Sequence, residues 1–285
     1  MTAGPFDERR QAETAARLAL AGPDVMPDFL HRLALEEMAA RLSATRRTFA
    51  RALLCTLAPK DARETLKTAG NVQEVVLAAP RARPAGGRHD VVIDPARPAL
   101  ADSRFDLVAV VMEPVAINDL PGAFIAWRRL LRPGGLLLSA FPGGETLKEL
   151  RGAWALADEA AGRVPPPLRV APFCDIRQVG TLLQMAGFVM PVVDTERLKL
   201  RYADALSLMQ EIRAMGLSAR ILAGRDPRPV TRRLLAHAAA ALETACSGPD
   251  GRIAVTLEML HVSAWAPEPD QIGASSCSLP DRDSP

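Results

Sequence analysis

The chain has 285 residues, of which 48% are hydrophobic, 24% charged and 4% aromatic, and its formal net charge at pH 7 is +2. This length suits one large α/β domain with additions, and the hydrophobic content is ample for its core. The nearly balanced charge argues against a nucleic-acid-binding protein. Two arginine-rich stretches, residues 81–90 and 224–233, are interpreted as loops rather than as a binding patch.

The cysteines and histidines show no spacing typical of a metal site or a disulfide framework. There are four of each, they are scattered along the chain, and no pair of cysteines forms a CxxC motif. We therefore predict no metal and a reducing compartment. No run of about 18 apolar residues predicts a membrane span, and no signal-peptide pattern is present near the amino end. The expected location is the cytoplasm of a bacterium.

Helices and short strands alternate through the first hundred residues. Two helices are predicted over residues 6–20 and 25–43, separated by a Gly-Pro pair. An apolar run at 52–57 then predicts a strand, and Asp61 begins a helix that ends near residue 70. Further strands are predicted over residues 72–79 and 89–93.

The stretch from Phe105 to Gly144 is the most informative part of the chain. A continuous apolar run, typical of a strand buried on both faces, is followed by a helix that Asn118 or Asp119 caps, with Pro121 in its first turn. An Arg-Pro-Gly-Gly turn then leads into a second buried strand at 136–141. Because this order forms a βαβ unit, it predicts a right-handed crossover and a parallel sheet.

The remaining elements complete an α/β fold. Helices are predicted at 145–161, 175–186, 203–215 and 230–245. Strands are predicted at 188–193, which continues extended over 197–202, and at 252–265. The expected fold is a Rossmann-like doubly wound sheet of about seven mostly parallel strands. We expect an N-terminal helical lead-in (1–48), an α/β domain (49–266) with a helical insertion before the last strand (about 203–246), and a disordered tail (267–285).

Two groups of motifs carry a family resemblance. The run RFDLV, a helix and then LLRPGGLLLSAF resembles the second half of a class I S-adenosylmethionine-dependent methyltransferase. NDLP (118–121), GGETLKELR (143–151), VAPF (170–173) and MQEIRAMG (209–216) resemble a narrower branch, which contains the biotin-synthesis methyltransferase BioC and a mitochondrial complex I assembly factor. This resemblance implies a methyltransferase fold, S-adenosylmethionine as cofactor, and a protein substrate such as a respiratory complex I subunit. In the mitochondrial relative it implies modification of an arginine.

The resemblance also assigns the cofactor positions. The family's glycine-rich turn after the first strand matches residues 52–60, where Thr56, Ala58 and Lys60 replace the glycines. Ala79 stands where the second strand usually ends in a ribose-binding acid, and Asp94 follows the third strand as the family pattern requires. The candidate cofactor contacts are Thr56, Ala58, Ala79, Asp94 and Met112.

The missing glycines and acids have a physical cost. Side chains at 56, 58 and 60 would crowd a ligand that normally lies against bare backbone. Leu54 also stands where the first strand of the family usually has an Asp. The loss of two hydrogen bonds to charged groups, each worth about 1.5–3 kcal/mol, would weaken binding by roughly a hundredfold to ten-thousandfold. Two hypotheses remain open: a transferase that uses S-adenosylmethionine, and a degenerate relative that keeps the fold as an interaction or assembly module. The sequence argues against a nicotinamide-dependent dehydrogenase, because it contains no G-x-G-x-x-G motif.

A candidate substrate or partner site is Gly143, Gly144 and Glu145. Glycines at the end of a strand let backbone approach a ligand, and an acid at the start of a helix can meet a guanidinium. The alternative is an ordinary strand-to-helix turn. No catalytic residue is assigned from the sequence.

Overall fold

The fold is one mixed sheet with helices packed on both faces. The computed structural model describes residues 4, 6–21, 28–57, 61–69, 71–82, 89–215 and 228–269. The strands are β1 Phe49–Cys55, β2 Val72–Pro80, β3 Val91–Ile93, β4 Phe105–Val111, β5 Leu131–Pro142, β6 Val189–Tyr202 and β7 Ile253–Trp265. The helices are α1 Glu8–Ala21, α2 Phe29–Ser43, α3 Ala62–Ala69, α4 Leu120–Leu130, α5 Lys148–Ala160, α6 Ile176–Met185, α7 Ala205–Ala214 and α8 Arg232–Cys246.

Within the ranges just given, the strands form a seven-stranded sheet in the order β3-β2-β1-β4-β5-β7-β6. β7 runs antiparallel to both β5 and β6, whereas the pairs from β3 to β5 are parallel. The predicted doubly wound, mostly parallel sheet is therefore confirmed. The strand order reverses between β1 and β4, and in open α/β sheets this reversal opens a crevice at the carboxyl ends of the strands.

Alternate side chains of the central strands belong to two separate cores. Leu54 of β1 packs in a layer with α2 and α3, and its neighbour Leu53 packs in the opposite layer with α4 and α6. Both leucines are at most 1% exposed. This burial on both faces explains the nearly continuous apolar runs in the sequence.

A third cluster covers the end of the sheet where β7 begins. It joins α5, α7 and α8 to Tyr202, Ile253 and Val255. In chain order α7 and α8 lie between β6 and β7. The cluster therefore packs α5 against the adjoining ends of β6 and β7.

Local signals in the sequence fix several element ends. The Asp119 side chain accepts a hydrogen bond from the Gly122 amide (2.9 Å) and so caps α4, as one of the two predicted alternatives requires. Asp175 and Gln178 form a reciprocal capping box at the start of α6.

β6 is a single strand of 14 residues, because Asp194, Thr195 and Glu196 pair with β7 and join the two extended stretches that the sequence predicts. The start of α5 differs from the expected one. α5 begins at Lys148 and not at Glu145, because residues 144–147 form a turn that is hydrogen-bonded to β7. Hydrogen bonding to this strand has overridden the weak local preference for helix.

Candidate functional site

The carboxyl ends of β1, β2 and β4 meet at the reversal of strand order. Cys55 at the end of β1 pairs with Ala78 on one side and Val110 on the other. Thr56, the next residue, is fully buried, and its amide donates to the Ala78 carbonyl (3.2 Å). His89 Nε2 lies 3.1 Å from the Thr56 carbonyl oxygen. The backbone of Thr56, directly after β1, is therefore fixed on both its amide and its carbonyl side, by Ala78 and by His89.

An ion pair crosses the carboxyl end of β1. Arg81 directly follows β2, Glu113 lies just beyond β4, and Arg81 Nη1 donates to Glu113 Oε2 at 2.9 Å. Their side chains are 18% and 8% exposed. Because β1 lies between β2 and β4 in the sheet, the pair spans the point where this fold places its ligand.

Cys55 lies under this ion pair. Burial raises the pKa of its thiol well above the ordinary value, and the negative charge of Glu113 raises it further. The thiol therefore stays neutral at physiological pH. A neutral buried thiol is a poor nucleophile, so Cys55 is a packing residue of the core.

The structure brings four of the five predicted cofactor contacts to this edge of the sheet. Ala79 and Met112 are buried there, Met112 has a left-handed backbone (φ 65°), and its amide donates to the Ala140 carbonyl (2.8 Å). Ala58 lies outside the described residues. Their roles as cofactor contacts stay predictions.

Asp94 is one of the predicted cofactor contacts, and its side chain lines a cleft and is accessible there. Its carboxylate is about half exposed and lies 3.9 Å from Arg81 Nη2. Its Oδ1 also accepts a hydrogen bond from the Ala96 amide (3.1 Å). This turn fixes the carboxylate at the cleft wall and leaves its outer side accessible to a ligand.

The cleft beside Asp94, here called the α1 cleft, has a volume of about 430 Å³. It lies between the first turn of α1, the end of β3 and the loop after β4. Residues that line it include Gln11, Arg81, Ile93, Asp94, Ile117 and Asn118. Its volume falls in the range of small-molecule sites, and its lining mixes apolar side chains with polar and charged ones, which also include Glu8, Arg97 and Asp119.

A second cleft, here called the apolar cleft, has a volume of about 360 Å³ and shares Ile117 and Asn118 with the first. Residues that line it include Phe6, Phe141, Pro142, Phe173, Cys174 and Gln178. No lining residue in the described ranges is charged. Burial, and secondarily Asp175, raises the pKa of Cys174, so this thiol also stays neutral.

Asn118 fastens the amino-terminal segment over both clefts. Its Oδ1 accepts from the Phe6 amide (2.8 Å), and its Nδ2 donates to the Phe6 carbonyl (3.1 Å). This pairing satisfies both backbone groups of Phe6 with one side chain. The Phe6 segment thereby forms a wall of the apolar cleft and leads into α1, which lines the other cleft.

The turn at Gly143, Gly144 and Glu145 is anchored on β7. The Gly143 amide donates to the Glu258 carbonyl (2.8 Å), and the Glu145 amide donates to Glu258 Oε2 (3.1 Å). A Cβ atom at Gly143 would lie 2.7 Å from Glu258 Oε2, which explains the glycine. The Glu145 carboxylate accepts from Lys148 Nζ (2.7 Å), and this hydrogen bond is the main cause of its lowered pKa. These contacts explain why the motif forms a turn at this place. That it binds a substrate or partner stays a prediction.

Reasoning from sequence did not identify Gln11, Arg81, Glu113 or the clamp formed by Asn118. A signal existed for two of them. Arg81 directly follows the strand whose end the family resemblance assigns to ribose, and Glu113 is an isolated acid just after a long apolar run. Nothing in the sequence indicates that the two side chains meet.

The residues fit the two ends of S-adenosylmethionine differently. The α1 cleft offers Asp94 as an acceptor and the amide of Gln11, which suits a nucleoside. At the other end, the Arg81–Glu113 ion pair occupies part of the expected ligand space, and side chains replace the glycine turn. The site in this arrangement therefore fits the nucleoside and does not fit the cationic end of the cofactor.

In the described part of the chain, no three His, Cys, Asp or Glu side chains form a group suited to a metal ion. No helix in the same ranges is long and apolar enough to span a membrane.

Comparison with solved structures identifies the fold class. A methyltransferase structure from Bacillus halodurans, titled as putative, superimposes with a TM-score of 0.51 at 14% identity and covers 81% of this chain and 98% of its own. At this identity the likeness shows the fold alone. The chain has the Rossmann-like fold of class I methyltransferases, as the sequence motifs predict.

Sequence relatives carry the names of both proteins of the narrower branch that the motifs resemble. The chain is 33% identical over 171 residues to "Arginine-hydroxylase NDUFAF5, mitochondrial" of Danio rerio, covering 60% of this chain and 52% of the relative. It is 37% identical over 164 residues to "Malonyl-[acyl-carrier protein] O-methyltransferase" of Halorhodospira halophila, covering 58% and 53%. The chain spans about half the length of these curated relatives. No family model matches it.

Proposed function

We propose that the chain is an S-adenosylmethionine-dependent methyltransferase-like protein that acts on a protein substrate during assembly of respiratory complex I in the bacterial cytoplasm. The observation that carries the proposal is the α1 cleft, which lies at the carboxyl-end side of the parallel strands and contains Asp94. Relatives of both named kinds support it. Asp94 would hold the nucleoside, and the substrate would enter beside it.

The apolar cleft is the proposed place for the acceptor group of the substrate. It shares Ile117 and Asn118 with the α1 cleft, so groups bound in the two clefts would be neighbours. Phe141 and Phe173 give it aromatic walls. A buried charge needs a partner to offset its loss of solvation, so the uncharged lining favours an acceptor group without a net charge.

A second candidate is a non-catalytic assembly protein that has lost the cofactor. The specific observation in its favour is the Arg81–Glu113 ion pair, which spans the expected ligand site in place of a glycine turn and a ribose-binding acid. In this function the clefts would serve only to hold the amino-terminal segment. The two candidates share a partner and differ in cofactor binding.

Calorimetric titration of the purified protein with S-adenosylmethionine and S-adenosylhomocysteine separates the candidates. A dissociation constant in the low micromolar range would support the methyltransferase-like function and exclude the second candidate. An absence of heat and of any thermal shift at millimolar ligand would do the reverse. Asp94→Ala should weaken binding, whereas Asp102→Ala, at an exposed position before β4, serves as the matched control.

Deletion of the gene tests the role in complex I. We expect less assembled complex I on native gels and recovery with the wild-type gene. If Asp94→Ala fails to restore assembly while Asp102→Ala succeeds, the ligand cleft is required. Recovery by both variants favours the non-catalytic function, and normal complex I in the deletion strain contradicts both candidates.

A further inference from the structure

The side chain of Gln11 is buried in the first half of α1 and faces the α1 cleft. Only 4% of the residue is exposed, yet Nε2 has no hydrogen-bond partner among the described residues. A buried amide without a partner costs about 1–3 kcal/mol, so native proteins rarely keep one without a reason. Leucine at this position would fill the same space without that cost.

The surroundings of Gln11 indicate what it binds. Ile93, Ile117 and Ala12 supply apolar cleft walls, and Asp94 supplies an acceptor from the end of β3. Apolar surface next to polar side chains suits a planar heterocycle, whose faces are apolar and whose edge carries acceptors. The Gln11 amide is a donor and therefore complements an acceptor on that edge.

We infer that Gln11 is a specificity-determining residue of the α1 cleft, where its amide N–H donates to a ring nitrogen of a bound purine nucleoside. This inference rests on the proposed function, because it concerns the nucleoside end of the same cofactor. It gives α1 a part in ligand recognition, since the helix brings a donor to a site otherwise built from strand ends. Binding of the nucleoside also satisfies the unpaired amide.

The test compares Gln11→Leu with wild type in calorimetric titrations with S-adenosylhomocysteine. We expect affinity to fall by about fivefold to tenfold, the effect of one net hydrogen bond. The melting temperature of the free variant should be unchanged or higher, because the orphan amide is gone. Gln73→Leu, at an exposed position near the amino end of β2, should bind like wild type.

Adenosine analogues that lack one ring nitrogen at a time (the 1-, 3- and 7-deaza compounds) identify the acceptor. One analogue should bind wild type about fivefold to tenfold more weakly than adenosine and bind Gln11→Leu as adenosine does. Equal affinity of wild type and Gln11→Leu for S-adenosylhomocysteine would overturn the inference and leave the proposed function intact. If wild type binds none of these ligands, cofactor use in the proposed function fails as well.

Discussion

Arg81 and Glu113 join the ends of two strands that are not neighbours in the sheet. Arg81 Nη1 lies 2.9 Å from Glu113 Oε2, and both side chains are largely buried above the end of β1. A pair in this position stabilises the fold and also occupies ligand space. These two effects can be measured separately.

The first prediction concerns stability. Arg81→Gln leaves the Glu113 carboxylate without its guanidinium partner, so unfolding free energy should fall by about 3 kcal/mol. Adding Glu113→Gln should recover part of the loss, because no buried charge is then left over. Chemical denaturation of wild type, both single variants and the double variant gives the coupling energy. A coupling energy near zero would contradict a stabilising pair.

The second prediction concerns ligand charge. In wild type, Glu113 offsets the charge of Arg81, so the ion pair should discriminate little between the sulfonium of S-adenosylmethionine and the neutral sulfur of S-adenosylhomocysteine. Arg81→Gln should improve binding of S-adenosylmethionine by about tenfold more than binding of S-adenosylhomocysteine, because it removes one positive charge and frees a negative one. Titration of both ligands measures this change. The same change for both ligands would mean that the sulfur does not approach Arg81.

The third prediction concerns the amino-terminal segment. Asn118→Leu removes both hydrogen bonds to the Phe6 backbone. The free energy needed to open residues 6–21 locally should therefore fall by about 1–3 kcal/mol. Hydrogen exchange should become faster in this segment and stay unchanged in α8. Unaltered protection at residues 6–21 would show that other contacts, such as Arg17 with the Arg213 carbonyl, hold the segment alone.

The fourth prediction concerns the two glycines at the end of β5. A Cβ at Gly143 would lie 2.7 Å from Glu258 Oε2 and 2.9 Å from Leu260 Cγ, so Gly143→Ala should destabilise by about 1–3 kcal/mol. At Gly144 the nearest atom is 3.7 Å away, and Gly144→Ala is the matched control with little effect. Thermal unfolding compares the two. Equal losses would contradict a specific contact with Glu258.

The fifth prediction concerns acid stability and His31. Burial lowers the pKa of His31 to about 4, and Asp28 opposes this shift only in part. The unfolded chain, with a histidine pKa near 6.5, binds a proton between these values when the folded chain does not, so stability falls as pH drops from about 6.5 to 4. Titration of His31 should lower the unfolding free energy by about 3 kcal/mol over this pH range.

Two variants isolate this contribution. His31→Leu should flatten the decline in unfolding free energy over that pH range, because the group that titrates is gone. His237→Gln changes an exposed histidine of α8 and should leave the pH profile as in wild type. If His31→Leu and wild type decline in parallel, other groups cause the acid sensitivity.

The sequence predicted the fold well because its main signals are local and periodic. The apolar runs of β1, β4 and β5 identify buried strands, and Asp119 and Asp175 cap their helices through contacts three residues away. Pairing with β7 joins the extended stretches predicted at 188–193 and 197–202 into one strand, β6. The helix start expected at Glu145 was wrong, since the turn before α5 is hydrogen-bonded to β7.

The sequence by itself therefore determined the doubly wound sheet, the resemblance to methyltransferases, and the absence of the usual glycine turn and ribose-binding acid. Only the tertiary structure decided what stands in their place. Arg81 meets Glu113 because the strand order puts β1 between the ends of β2 and β4, and Gln11 of α1 lines the same cleft as Asp94, which follows β3. Such contacts join residues far apart in the chain, and neither composition nor spacing encodes them.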